Sequence, residues 1–427
     1  MTDDRPATPL WQPAGTNAPA PEPYPSSVPG QPGPYGPGPA PAPGYPGQYG
    51  PGPAPAPGYP GQYGPGPAPA PGFPGQYGPG HLPAAIPYAA GWPVPPAVGG
   101  AKVKPTPLPV TPKRYHQFLQ TPRRRWWKIL VALPFAAVLW IFASVIAILP
   151  AMFYDVAHSG AHGSQEVIDY LAGYTQRTTP AFFIANNVSI AMMIPVAWLV
   201  LRVVYGQTPR WLSSVAGRFR WGWMFRLMGL ILVVYVVVQA IDYAFFSGVP
   251  ALSWKPYSLF LIVGILITTP LQCAGEELGV RGFTARVLGS YGSAKVSFWI
   301  ASVLSSVLFM FLHAAQDPYL NAFYFTFGMA ASWMAWRTGG LEASIAMHVV
   351  NNVVSEVTMP FTDISGTFDR QTGAASAWDI IPLAVLMVTT VALIEWQVRR
   401  RKPLAVAAPG AAGDGPIVTG PAALPAT

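Results

Sequence analysis

Cysteine is almost absent: Cys273 is the only one in 427 residues. No disulfide can close within the chain. Charge is scarce as well. Only 10% of residues are Asp, Glu, Lys or Arg, while 51% are hydrophobic. A soluble domain carries roughly 25% charged residues, so the composition excludes an ordinary soluble protein. The N-terminus, MTDDRPATPLWQP, has no basic stretch followed by an apolar core, and no cleaved signal peptide is expected. A His-Glu-x-x-His helix, the zincin pattern, is missing too. The net charge of +8 invites a nucleic-acid reading. The Lys and Arg residues, however, gather at the ends of apolar segments, where membrane topology wants them. Their distribution argues against nucleic acid as a partner.

Proline and glycine are abundant instead, at 52 and 43 residues, and they crowd the N-terminal quarter. Residues 1–112 read as a low-complexity arm. A fourteen-residue unit, GYPGQYGPGPAPAP, begins at Gly44, repeats at Gly58 and restarts as GFPGQYGPG at Gly72. Such a composition cannot bury enough apolar surface to offset the entropy of ordering. The arm is expected to be a solvated, polyproline-like spacer; recruitment of a protein partner through its Tyr and Pro residues is the functional alternative. Residues 113–127 form a basic juxtamembrane segment. Residues 398–427 form a second tail, basic at Arg399 to Lys402 and then rich in Ala, Pro and Gly.

Between the tails, over 128–397, eight apolar segments follow one another: 128–152, 181–204, 224–246, 258–281, 296–314, 320–337, 341–358 and 379–397. A helix of about 20 residues crosses the hydrocarbon. The fold expected is all-α, a polytopic membrane bundle of about eight transmembrane helices with disordered N- and C-terminal tails. Twenty-one basic residues flank alternate connections and the tails on one side, against Arg177, Lys255 and Arg370 on the other. This asymmetry puts both termini in the cytoplasm of a plasma-membrane protein.

Ionisable groups inside apolar segments are costly and mark function. Glu276 and Glu277 close the run SLFLIVGILITTPLQCAG, with Arg281 beyond them. On a helix, positions four apart share a face. Glu277 therefore pairs with Arg281 and supports the helix end, while Glu276 is left to face a cavity as a general base. Gly275 and Gly279 provide a small-xxx-small spacing for close approach of another helix. His313 closes the stretch SSVLFMFLH one turn after Phe309. A carboxylate and an imidazole together can deprotonate a water. His348 and Asn352 share one helix face in IAMHVVNNVV, and their N–H groups can stabilise an oxyanion. Asn351 points elsewhere, and Glu356 marks the membrane surface. Asp242, Gln239, Asn186 and Asn187 are read as helix–helix contacts, and Cys273 as an apolar filler.

Together these three stretches resemble the CAAX protease and bacteriocin-processing family of intramembrane endopeptidases. The motifs are Glu276-Glu277-x-x-x-Arg281, Phe309-x-x-x-His313 and His348-x-x-x-Asn352, and the likeness covers about 255–357. The resemblance implies a membrane peptidase in which Glu276 and His313 activate water and His348 and Asn352 hold the oxyanion. Glu277 and Arg281 would support the site. That mechanism needs no cofactor; zinc held by Glu276, His313 and His348 is the metal alternative. The partners implied are membrane lipid and a peptide or membrane-protein substrate. A non-catalytic immunity or scaffolding protein, using the same polar cluster for packing, is the rival reading.

Straight helices would leave Glu276 near the inner surface and His313 toward the outer half. Convergence requires the fifth helix to begin well below the inner surface, or residues 282–295 to fold back.

Overall fold

A computed structural model describes residues 105–174, 178–245, 247–365 and 370–411. The repeat arm up to residue 104 and the end of the C-terminal tail from 412 lie outside the described residues, so the expectation of a solvated spacer is not addressed there.

The described chain is built almost wholly of helices. In order they are α1 (Trp127–His158), α2 (Ser164–Ala172), α3 (Pro180–Ala191), α4 (Met193–Val200), α5 (Arg210–Ser213) and α6 (Trp221–Phe245). Then come α7 (Ser258–Glu276), α8 (Ala285–Leu288), α9 (Ala294–Leu312), α10 (Pro318–Thr338), α11 (Glu342–Ser355) and α12 (Ala377–Arg401). Two short strands, β1 (Lys113–Arg114) and β2 (Val406–Ala407), pair antiparallel.

Six stretches are long and apolar enough to cross a membrane: Trp127–His158, Pro180–Tyr205, Trp221–Phe245, Ser258–Leu288, Ala294–Leu312 and Ala377–Arg401. The protein is a multi-pass membrane protein. The outward faces agree with this. On α1, Val138, Ile141, Phe142, Val145 and Ile146 are all exposed, a surface suited to lipid and not to water. Pro134 and Pro150 lie within α1, and Pro270 within α7. Membrane helices tolerate this where neighbours satisfy the freed carbonyls.

The expected segments 320–337 and 341–358 are also helical, as α10 and α11. Neither meets the combined requirement of length and apolarity. For α11 the reason is burial. From Glu342 to His348 every residue is buried, and α6, α7 and α10 pack around it. Its fourteen residues span about 21 Å. It can therefore carry polar residues that a lipid-facing helix could not.

Local signals set the helix ends. The Thr179 hydroxyl accepts from Phe182 N at 3.0 Å and Pro180 opens α3. Asp317 does the same for α10, accepting from the backbone N–H of Tyr319 and Leu320, with Pro318 at the first position. Gly339, at φ +70°, ends that helix in the left-handed conformation glycine favours.

The segment expected at 258–281 runs further than its apolar pattern. After α7 the helix widens into π-type turns over Glu277–Thr284 and continues as α8 to Leu288. Arg281 and Arg286 were counted among the twenty-one basic residues of the inner side. Both are buried instead, 1% and 0% exposed. Glu277 lies 3.2 Å from Arg281. Arg286 donates to Trp211 O at 2.8 Å and to Gln207 Oε1 at 3.1 Å. With Arg281 paired to Glu277 and Arg286 hydrogen-bonded to neutral oxygens inside, the helix has no reason to stop, and Glu276 falls about 18 Å short of its end. The boundary at 281 was therefore too early, and this extension removes much of the mismatch in depth.

The tail boundaries at 112 and 398 also move. Residues 105–126 form a strap against the bundle. Gln207 Nε2 donates to Pro107 O and Phe118 O, and Tyr115 donates to Leu212 O. Arg286 stands over the rings of Tyr115 and Phe118. The strap residues Tyr115, Phe118 and Leu119 are 2% exposed or less, so this segment buries enough apolar surface to order.

His116 lies in the strap, 5% exposed, with Nε2 3.2 Å from Ala294 O and 3.1 Å from Ser297 Oγ. Burial, with Arg114 nearby, pulls its pKa from 6.5 down to about 4. The released strap binds a proton in the window between those values and the docked strap does not, so docking weakens as pH falls from about 6.5 to 4. Hydrogen exchange of residues 105–126 is expected to speed up at pH 4.5 relative to pH 7.5. A His116→Asn variant should lose that pH dependence.

Candidate active site

The widened turn is the local feature on which the site depends. In a regular helix adjacent residues diverge by about 100°, which led to the expectation that Glu276 and Glu277 face different partners. Here α7 ends at Glu276 and the wider turns begin at Glu277. Single π-type turns of this kind cluster at functional sites. Both carboxylates reach one imidazole. His348 Nδ1 is 3.1 Å from Glu277 Oε1, and His348 Nε2 is 3.2 Å from Glu276 Oε2.

Glu277 is the hub. It is fully buried, and its Oε1 takes both His348 and Arg281, the latter at 3.2 Å. A carboxylate only accepts, so His348 Nδ1 is the donor. The Glu276 contact is close but not aligned as a hydrogen bond, and its Oε2 has no hydrogen-bond partner. The Arg281 nitrogens are likewise without hydrogen bonds. The guanidinium lies instead over the Phe309 ring, 3.8 Å from its centre, a cation–π contact that is worth most when desolvated. Phe309 and Phe327 also pack edge-on against His348, with centroids 6.0 and 4.9 Å away.

His313 ends α9. Its Nδ1 is 2.8 Å from Phe309 O. A carbonyl only accepts, so Nδ1 carries the proton and Nε2 presents a lone pair. The ring stacks on Tyr324 at 3.9 Å and leans on Phe309 at 4.4 Å. Phe309 thus lies against both imidazoles. The imidazole within contact of Glu276 is that of His348; among the described residues no ion pair or hydrogen bond joins Glu276 to His313.

Asn352 donates through Nδ2 to Gln272 Oε1 at 3.1 Å. Its Oδ1 accepts from Asn351 Nδ2 at 3.0 Å, and Asn351 Oδ1 accepts from the Tyr235 hydroxyl at 3.3 Å. One amide hydrogen of Asn352 is used on Gln272; the second remains for a ligand. Gln272, Asn351 and Tyr235 were not singled out as site residues. Gln272 could have been found, since it stands four residues before Glu276 in the same apolar run. Asn351 does point elsewhere, but what it does there is orient Asn352. Glu356 is also reassigned: it accepts from Thr269 Oγ1 at 2.6 Å and ties α11 to α7. Thr269 and its neighbour Thr268 also accept from Asn187 Nδ2 of α3, at 3.2 and 3.1 Å, the helix–helix role expected of that residue.

Gly275 meets its expectation. A Cβ there would stand 2.7 Å from Ile190 O and 2.9 Å from the Ala191 Cα, so α3 and α7 touch backbone to backbone. No group of three or more His, Cys, Asp or Glu side chains among the described residues is arranged to hold a metal ion. Glu276, His313 and His348 are not gathered as a three-ligand set.

Residues 257–354 match the family model described as type II CAAX prenyl endopeptidase Rce1-like. The match is consistent with the CAAX protease and bacteriocin-processing family that the three motifs resemble. The Rce1-like match runs from the residue before α7 to near the end of α11, and so contains all six candidate residues. The uncharacterized protein YyaK of Bacillus subtilis (strain 168) is 26% identical over 177 residues, 39% of this chain and 58% of that protein. The chain thus spans a little over half the length of this curated relative. No solved structure matches the chain.

The buried Glu277–Arg281 pair generates a stability prediction. Removing one partner strands a charge at a cost of about 3–5 kcal/mol. Arg281→Met and Glu277→Gln are each expected to lower the thermal unfolding midpoint. The double variant should recover part of the loss in the same melting measurement.

Proposed function

We propose that the protein is an intramembrane endopeptidase, hydrolysing a peptide bond of a membrane-attached polypeptide that enters from the cytoplasmic side. The observation that carries this reading is Glu276. It is a buried carboxylate with one oxygen lacking a hydrogen bond, beside His348 and inside the segment that matches a CAAX endopeptidase family model. The basic residues of the connections support a plasma-membrane protein with both termini cytoplasmic.

In this mechanism a water lies between Glu276 and His313 Nε2. Glu276 takes its proton as the hydroxide attacks the scissile carbonyl carbon. The carbonyl oxygen becomes an oxyanion, held by the second Asn352 N–H and by His348, which in this scheme enters the cycle as an imidazolium with a proton on each ring nitrogen and keeps both throughout. Collapse of the tetrahedral intermediate breaks the C–N bond, and Glu276 returns the proton to the leaving amine. Glu277 and Arg281 orient His348 from below. The chemistry needs only these side chains and water. The substrate is peptide or membrane protein, reached through lipid. The repeat arm is proposed as a spacer that can carry a protein partner.

Glu276→Gln and His313→Ala are each expected to lower cleavage at least 100-fold, with insertion and melting behaviour retained. Asn352→Ala should cost about 100- to 1,000-fold in kcat. Cells expressing Glu276→Gln should accumulate uncleaved membrane polypeptides in a proteomic comparison with wild type. Full activity of the purified Glu276 variant overturns the reading, and an intact cellular phenotype in that variant favours a scaffold.

A further inference from the structure

A second site lies away from the glutamates, at the end of the bundle where α6 begins and α12 ends. A cavity of about 630 Å³ opens there. Four arginines line it, Arg210, Arg218, Arg220 and Arg401, together with Trp223. They come from three separate parts of the chain: the α5 region, the approach to α6, and the last residue of α12. Basic residues near a membrane surface are commonplace, and scattered ones imply only topology. Convergence on one concave space is different, because like charges gathered without an anion repel.

Only one of the four charges is matched within the protein. Arg220 pairs with Glu342, Nη2 to Oε2 at 2.7 Å, and donates to Oε1 through Nε at 2.8 Å. Arg210, Arg218 and Arg401 have no carboxylate within ion-pair distance among the described residues, and all three side chains are exposed. Three unmatched guanidinium groups on one concave space suit a phosphate group, which arginine binds through paired N–H bonds.

The rim identifies where the phosphate comes from. Trp221 and Phe225 project outward next to the cavity, 61% and 54% exposed, and stack on each other with centroids 6.0 Å apart. Aromatic side chains of this kind sit at headgroup level. We propose that this cavity binds the phosphate headgroup of an acidic phospholipid. On the orientation proposed above the lipid belongs to the cytoplasmic leaflet; the binding itself does not rest on that orientation. The site also has a route to the glutamates. Glu342 opens α11, the helix that carries His348 and Asn352, so a lipid competing for Arg220 acts on the position of that helix.

The test is lipid retention by the purified full chain in native mass spectrometry, from micelles mixed with phosphatidylglycerol or with phosphatidylcholine. Wild type is expected to retain one phosphatidylglycerol and to lose phosphatidylcholine. Arg218→Gln/Arg401→Gln should weaken that retention by about tenfold or more. Arg202→Gln/Lys295→Gln, with the same loss of charge outside the cavity, should behave as wild type. Arg218→Gln alone, at an exposed position, gives a smaller loss in the same direction and guards against misfolding of the double variant. Equal retention in the cavity and control double variants overturns the proposal. Displacement of the lipid by millimolar inorganic phosphate would assign the site to a soluble anion and overturn the lipid source. None of these readouts requires cleavage activity.

Discussion

One buried carboxylate holds the molecule's chemistry in place. Glu277 is 0% exposed, and such a charge survives only if matched. Arg281 matches it from the same helix and His348 from another, both at the same oxygen. Every other feature of the site depends on this arrangement. It orients the His348 ring so that Nε2 faces Glu276. It holds the guanidinium over Phe309, which in turn lies against His313. Three helices are thereby tied through one side chain, without a disulfide.

The pairing of Glu277 with Arg281 was legible in the sequence, because a spacing of four means one helix face. The partner of Glu276 was not. A regular helix sends adjacent side chains in different directions, and no residue pattern announces the change to wider turns at Glu277. The same limit hid the end of that helix. Arg286 read as a surface marker, since a lone arginine cannot be told from a partnered one before its partners are known. Gln207 and the Trp211 carbonyl, more than seventy residues earlier, supply what Arg286 needs. The eight helical segments were visible from apolar runs alone. The central position of α11 was missed, since 341–358 was read as one more membrane segment, although a helix with Glu, Ser, His and two Asn is a poor one to face lipid.

Glycine illustrates how closely the bundle is built around the site. Gly275 lets the backbone of α3 come against α7 immediately before the glutamates. Asn187 and the threonines of α7 then bond across that seam. On the opposite side, Tyr235, Asn351, Asn352 and Gln272 form a line of hydrogen bonds from α6 through α11 to α7. The orientation of the Asn352 amide is therefore a property of three helices. A small tilt of α6 would be felt at the donor without any contact to substrate.

The antiparallel pairing of β1 with β2 joins residue 114 to residue 406. One of these strands precedes the first crossing and the other follows the last. Two strands that touch must lie on the same face of the bilayer, so the chain between them can only cross it an even number of times. This parity follows from a four-residue ladder and owes nothing to the distribution of lysine and arginine.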